Sequence, residues 1–199
     1  INMSRIRLIN ELLGHEELAR LQRQKARFIN TTMMVTLLGA AVSDGLDSGQ
    51  IVSGVGGQYN FVAMGHALPD ARSILMLHAW RSKHGQVTSN IVWNYGHTTI
   101  PRHLRDIVIT EYGVADLRGQ ADAEVIKRLL AIADSRFQDE LLATAKMNGK
   151  IELEYEIPDA QRNNRPEVIE TCLQRWHDAG LLPDFPLGTD FTADELVIV

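Results

Sequence analysis

"DIVITEYGVADLRG", residues Asp106–Gly119, joins an apolar run to a carboxylate, a glycine and a guanidinium within fourteen positions. The stretch from Asp106 to Thr110 has strand length. Its unbroken apolar character, without polar alternation, is the pattern of a strand covered on both faces. Glu111 follows directly, Gly113 marks a turn, and Arg118 with Gly119 closes the string. In an open α/β sheet, ligands gather beyond the carboxyl ends of the strands, so Glu111 and Arg118 are both candidates to border a site. The plainer reading has Glu111 accepting from backbone amides or pairing with Arg118.

Working upstream, "SILMLHAW" (Ser73–Trp80) and "SNIVWN" (Ser89–Asn94) are two further apolar runs of strand length. "FINTTMMVTLLGAAVS" (Phe28–Ser43) is rich in β-branched and apolar residues, with a turn signal at Gly39. Residues Ser4–Arg27 carry helix formers with Leu8, Leu12, Leu18 and Leu21, interrupted by Gly14, and predict one or two helical pieces. Downstream, the period changes. From Asp122 to Gly149, Val125, Leu129, Ile132 and Ala133 recur at helical spacing, as do Phe137, Leu141 and Leu142. Asp122 is the expected N-cap and Gly149 the expected stop. Strands followed by helices predict the α/β class.

"KIELEYEI" (Lys150–Ile157) alternates apolar and acidic residues and predicts a strand with one face in solvent. Pro166 then opens a helix with Ile169, Cys172, Leu173 and Trp176 on one stripe, closed at Gly180. The expected organisation is an N-terminal helical segment (1–27), a main α/β domain (28–149) and a strand–helix extension (150–199).

The 199 residues are 45% hydrophobic and 23% charged, which describes an ordinary globular chain. No run approaches the ~20 apolar residues that cross a bilayer, and the start lacks a secretory apolar region. The expectation is a cytoplasmic protein without a membrane partner. A net charge of −5 argues against nucleic acid as a partner. Yet from Phe61 to Arg105 five Lys or Arg face one acid, Asp70, and five of the seven histidines fall in the same stretch. That region can attract a compact anion. No histidine pair has the i, i+4 spacing of a helical zinc site, so no metal is expected. The single cysteine, Cys172, excludes an intrachain disulfide and is expected to be a buried structural thiol on its helix stripe. A serine-nucleophile elbow is absent from the sequence.

"IVSGVGGQYNF" (Ile51–Phe61) places Gly54, Gly56 and Gly57 within four positions. A dinucleotide fingerprint fails because its third glycine would fall on Tyr59. A P-loop counted from Gly49 fails because Val55 and Gly56 stand where Lys and Ser or Thr belong. What remains is a loop at a strand end whose side-chain-free backbone can form a tight turn, an anion nest or an oxyanion hole.

Taken in order and spacing, "GVGGQYNFV", "SILMLHA", "DIVITEYGVADLRG" and "AIADSRFQDELL" resemble the C-terminal domain of the acetyl-CoA hydrolase/transferase family, class I CoA-transferases, over roughly Phe28–Gly149. The resemblance implies an open sheet flanked by helices of the NagB/RpiA CoA-transferase type. It implies acyl-CoA and a small carboxylic acid as substrates, with no tightly bound cofactor. Reaction would pass through a glutamyl-CoA intermediate. Gly54, Gly56 and Gly57 would supply oxyanion-hole amides, and Val55, Gln58, Asn60, Glu111 and Arg118 would border the CoA and acyl site. The family's nucleophilic glutamate lies ahead of the matched region. It is therefore expected on an N-terminal CoA-transferase domain of the complete protein, this chain alone being inactive, and a homodimer is allowed. The family commonly carries an acid at Asn60 and arginines near Ala63 and Asn90, so this sequence departs at three positions. Those departures leave a non-catalytic acyl-CoA-binding or regulatory module, or a plain scaffold, as the alternative.

Overall fold

Two short helices, α1 (Arg7–Asn10) and α2 (Glu16–Gln22), lead into strand β1 (Arg27–Thr31), as the glycine-broken leucine pattern predicts. The computed structural model describes residues 3–192 and 194–197. The β-branched stretch after β1 turns on itself, giving β2 (Met34–Thr36) and β3 (Ala41–Val42) around Gly39, whose φ of +88° a side chain would resist. Helix α3 (Gln58–Ala67) follows the glycine loop and returns the chain to β4 (Arg72–Met76). A hairpin of β5 (Trp80–Lys83) and β6 (Gln86–Ser89) precedes β7 (Ile91–Val92), and β8 (Ile107–Thr110) pairs with β9 (Gly113–Asp116).

The main sheet has the order β1-β4-β8-β9, with β1, β4 and β8 parallel and β9 antiparallel. The smaller sheet has the order β3-β2-β7, with β2 antiparallel to β3 and parallel to β7. Register brings Leu75, Val108 and Ala115 onto one face of the main sheet, all buried. That face packs with Val62 of α3 and with Val125 and Leu129 of α4 (Asp122–Ala131). Each such side chain taken fully out of water contributes about 1.5–3 kcal/mol.

The helical period after residue 122 produces two helices, α4 and α5 (Gln138–Met147), because Asp134 breaks the run. Its buried carboxylate accepts the backbone and side-chain N–H groups of Arg136 and the Tyr112 hydroxyl. A side chain that bonds the backbone two residues on offers the chain a turn instead of the next helical bond. The N-cap is Ala121 rather than Asp122, whose carboxylate is held by Arg102 and Arg105. Gly149 does end α5, with φ +62°.

Burial pushes the Asp134 carboxyl up, but the Arg136 and Tyr112 hydrogen bonds outweigh it and hold it below the usual range. A depressed carboxyl stabilises the fold above the unfolded pKa of about 3.9 and loses that contribution as pH falls below it. Asp134→Asn is therefore expected to flatten the acid limb of the stability curve below about pH 4. Circular dichroism across pH 2–6 checks this, and an unchanged acid midpoint would overturn it.

Residues 150–157 form no strand. Lys150 donates back to Ala145, Tyr155 donates to Glu152, and only Ile151 and Ile157 of the alternating set are buried. Lys127 of α4 pairs with Glu152 and lies over the Tyr155 ring, which draws the run into a turn with no ladder partner. The first compact unit runs through Asn164 and the second begins at Arg165. In the second, α6 (Pro166–Asp178) starts with proline in its first turn and is followed by Gly180 at φ +68°. It buries none of its residues, and Cys172 is exposed, contrary to the expected buried thiol. No helix among the described residues is long and apolar enough to cross a membrane.

Candidate active site

The parallel strands β1, β4 and β8 end side by side, and a cavity of about 420 Å³ opens there. Thr31 and Thr32 line it from β1, Met76, Leu77 and His78 from β4, and Ile109, Thr110 and Glu111 from β8. Its wall is largely apolar, with hydroxyls, an imidazole and one carboxylate as the polar groups. Glu111 is exposed, and its Oε2 accepts from the Ala79 amide at 2.8 Å. Half of the carboxylate thus holds the chain leaving β4.

The glycine loop reaches this cavity through α3. Gln58, at the start of the helix, is buried and donates from Nε2 to the carbonyl of Thr31 at 3.1 Å. Gln58 therefore ties the start of α3 to the chain at the cavity wall. Asn60 is half-buried in the first turn of α3, and Val55 is 39% exposed at the tip of the loop.

The base of the loop is clamped. Val52 and Ser53 donate their amides to the Asp44 carbonyl at 2.8 and 3.3 Å, and the Ser53 hydroxyl donates to the Ser43 carbonyl. The Asp44 carboxylate accepts from the Thr99 hydroxyl and from His97 Nε2. Those two hydrogen bonds, Thr99 first, hold its carboxyl below the usual range. A Cβ at Gly45 would lie 2.7 Å from the His97 ring, so only glycine lets the imidazole settle there.

Above the clamp, the amides of Gly54, Val55, Gly56 and Gly57 have no acceptor among the described residues. Gly54 and Gly56 are exposed with open space around the Cβ position, and Gly56 has φ +58°. Gly57 caps α3 without a side-chain bond, so the unsatisfied N–H groups of a ten-residue helix start where the loop ends. Free amides beside the positive end of a helix suit an oxygen that gains negative charge.

Arg118 lies elsewhere. It pairs with Asp106, which precedes β8, and donates to the carbonyls of Ala71 and Gly65. Because β9 runs antiparallel to β8, Asp116 faces Ile107, and the chain beyond it returns to the amino ends of the strands. Glu111 and Arg118 thus stand at opposite ends of the sheet and do not border one site. Arg118 instead lines a second cavity of about 340 Å³ with Arg102 and Arg105, whose guanidiniums are engaged by Asp122. Sequence reasoning missed Thr31, Thr32, Met76 and His78, whose only signal is their place where an apolar run stops. It also missed the Asp44–His97 clamp, which joins residues 53 positions apart.

An open, mainly parallel sheet with an apolar cavity at its strand ends defines an α/β protein whose candidate site lies at the carboxyl ends of its strands. Residues 1–145 match the family described as acetyl-CoA hydrolase/transferase C-terminal domain, and the chain belongs to that family. It is 35% identical over 124 residues to the "Probable butyrate:acetyl-CoA coenzyme A-transferase" of Syntrophomonas wolfei, covering 60% of this chain and 28% of that protein. Against the 4-hydroxybutyrate coenzyme A transferase of Clostridium kluyveri it is 32% identical over 116 residues, 57% of this chain and 27% of the other. Among solved structures, RipA from Yersinia pestis superposes with a TM-score of 0.56 at 30% identity, over 67% of this chain and 28% of that one. The chain therefore spans less than a third of the length of these relatives.

Proposed function

We propose that this chain is the acyl-binding half of a CoA-transferase that exchanges CoA between short carboxylic acids. The observation that carries the reading is the row of unbonded amides at Gly54, Val55, Gly56 and Gly57, tied through Gln58 to the cavity at the strand ends. The acyl chain of a CoA thioester lies in the cavity against Met76 and Ile109, with its carbonyl oxygen at the loop amides. A glutamate carboxylate from an N-terminal CoA-transferase domain bonds to the carbonyl carbon. The oxygen becomes an oxyanion held by the amides, and collapse expels CoA as thiolate, leaving an acyl-glutamyl anhydride. The thiolate then attacks the glutamyl carbonyl, releasing the first acid and forming glutamyl-CoA. A second acid runs the sequence backwards and leaves as the new thioester. Hydrolysis differs only in that water intercepts an intermediate.

On this reading no group need be resident between turnovers, CoA thioesters being substrate. Isothermal titration of the chain with acetyl-CoA and butyryl-CoA tests the assignment. Binding without turnover is expected, with turnover restored when the N-terminal half is supplied. Binding with no turnover even then supports a non-catalytic module, and no binding at all overturns the reading.

A further inference from the structure

The stretch from Phe61 to Arg105 holds an excess of basic residues and most of the histidines, yet of these the cavity beside Glu111 uses only His78. Much of the remainder gathers at the opposite end of the main sheet. There the segment ahead of β8 brings Arg102, His103 and Arg105 to the wall of the cavity of about 340 Å³, the last turn of α3 brings His66, and the chain after β9 brings Arg118. Asp122, at the start of α4, is the one acid in that wall among the described residues.

Charge and donors are both in excess at this place. Arg102 and Arg105 share Asp122, while Arg118 shares Asp106 with Arg72, which also takes Asp116. Four guanidiniums thus meet three carboxylates, and one positive charge is left over. Arg128 adds to the excess, since it donates to the Asp116 carbonyl. Arg102 uses only Nη1, on both Asp122 oxygens, so its Nε and Nη2 have no acceptor among the described residues. Its side chain is 55% exposed. Arg118 Nε is buried without an acceptor. His66 Nε2 meets the Leu104 carbonyl at 2.9 Å, and a carbonyl only accepts, so that nitrogen carries the hydrogen and Nδ1 can take a further proton. Arginines drawn around one hollow repel each other unless something negative stands between them.

We propose that this cavity binds a phosphate group, free or as a small monoester. A guanidinium fork meets two phosphate oxygens at once, a match that chloride does not offer and that a monocarboxylate offers with a single charge. About 340 Å³ is at the small end of ligand sites, which favours a phosphate with a short organic remainder over a nucleotide. The inference goes beyond the reading given under Proposed function and does not rest on it, because Glu111 and its cavity lie at the other end of the sheet.

Isothermal titration of the chain with inorganic phosphate and with glycerol 3-phosphate, at fixed ionic strength, tests the proposal; acetate and chloride are the arms without a dianion. Both phosphates are expected to bind once per chain and to raise the melting temperature with concentration, and acetate and chloride to do neither. Tighter binding of glycerol 3-phosphate supports a small phosphorylated compound as the source, and tighter binding of inorganic phosphate supports the free ion. Arg102→Gln, at an exposed position where Arg105 still holds Asp122, should weaken both at least about tenfold, the loss of a charge-assisted contact. Arg102→Lys keeps the charge without the fork and should weaken them by less, which preserves the test if the glutamine variant melts early. Lys83→Gln removes a charge from the exposed β5 and should change neither affinity by more than twofold. Saturating acetyl-CoA should leave the phosphate titration unchanged. Displacement of phosphate by acetyl-CoA would place the anion in the CoA site and overturn the proposal. It also falls if neither phosphate binds, if acetate or chloride binds as tightly, or if Lys83→Gln weakens binding as much as Arg102→Gln.

Discussion

If the loop amides hold the oxyanion as proposed, replacing Gly56 with valine is expected to lower the turnover of the protein assembled with its N-terminal half by at least about 10²-fold, the cost of losing one oxyanion donor. Gly56 has φ +58°, and nothing lies within 4 Å of the Cβ position. The substitution therefore meets no neighbour. Its structural penalty is the left-handed backbone of a β-branched residue, about 1–2 kcal/mol, which leaves most of the fold's stability in place. What it removes is the approach of an acyl oxygen to the amides of the loop. Gly119, with φ +72° and equally open surroundings, lies at the other end of the sheet beside Arg118. Gly119→Val carries the same backbone strain and is expected to show the same small fall in melting temperature with turnover within threefold of the parent. Should Gly56→Val retain turnover within threefold, the loop does not stabilise the oxyanion. A KM raised at unchanged kcat would mean that it serves binding alone.

Asp106→Ala is expected to be the most damaging single substitution for stability, at about 3–5 kcal/mol, the cost of breaking a buried ion pair from one side. Asp106 is 4% exposed and accepts three donors: Arg72 Nε at 2.7 Å, the Ser73 amide at 2.6 Å and Arg118 Nη2 at 2.5 Å. Without it the Ser73 amide loses its acceptor, and Arg118, whose Nε is already buried without one, loses its counter-charge. At about 2–4 °C per kcal/mol for a chain of this size, the melting temperature should fall by about 10 °C. Asp116→Ala removes the other carboxylate of the cluster, but its side chain is 48% exposed, so water replaces it and the loss should stay below about 1 kcal/mol. Chemical denaturation of the two variants checks the contrast. A loss below 1 kcal/mol for Asp106→Ala would show that the cluster does not hold the amino ends of β4 and β8 together.

The same cluster shows what a sequence reader can and cannot see. Glu111 and Arg118 are neighbours in the string that decides the fold, and treating them as one site is natural when distance is counted along the chain. The β8–β9 hairpin reverses direction between them. A few residues at about 3.3 Å each then separate their ends of the sheet, and Arg118 becomes a strut while Glu111 stays at the cavity. The lost strand at 150–157 has a related cause. Alternation of Ile151, Leu153, Tyr155 and Ile157 has the right period, but a strand also needs a ladder partner. Lys127 offers Glu152 and Tyr155 a salt bridge and a ring contact instead. Likewise the helical period across residues 122–149 is real, but the turn at Asp134 rests on hydrogen bonds from Tyr112 and Arg136.

The α/β class, the apolar strands β1, β4, β7 and β8 and the glycine loop were determined by the sequence alone, because each depends on period, side-chain branching or a missing side chain within a few consecutive residues. The tertiary structure decided which chemical groups meet: the Asp44–His97 clamp, the Gln58 link to Thr31, the separation of Glu111 from Arg118, and the gathering of Arg102, Arg105 and Arg118 around one cavity. Those outcomes depend on register and strand direction, which pair residues tens of positions apart and leave no mark in the local pattern.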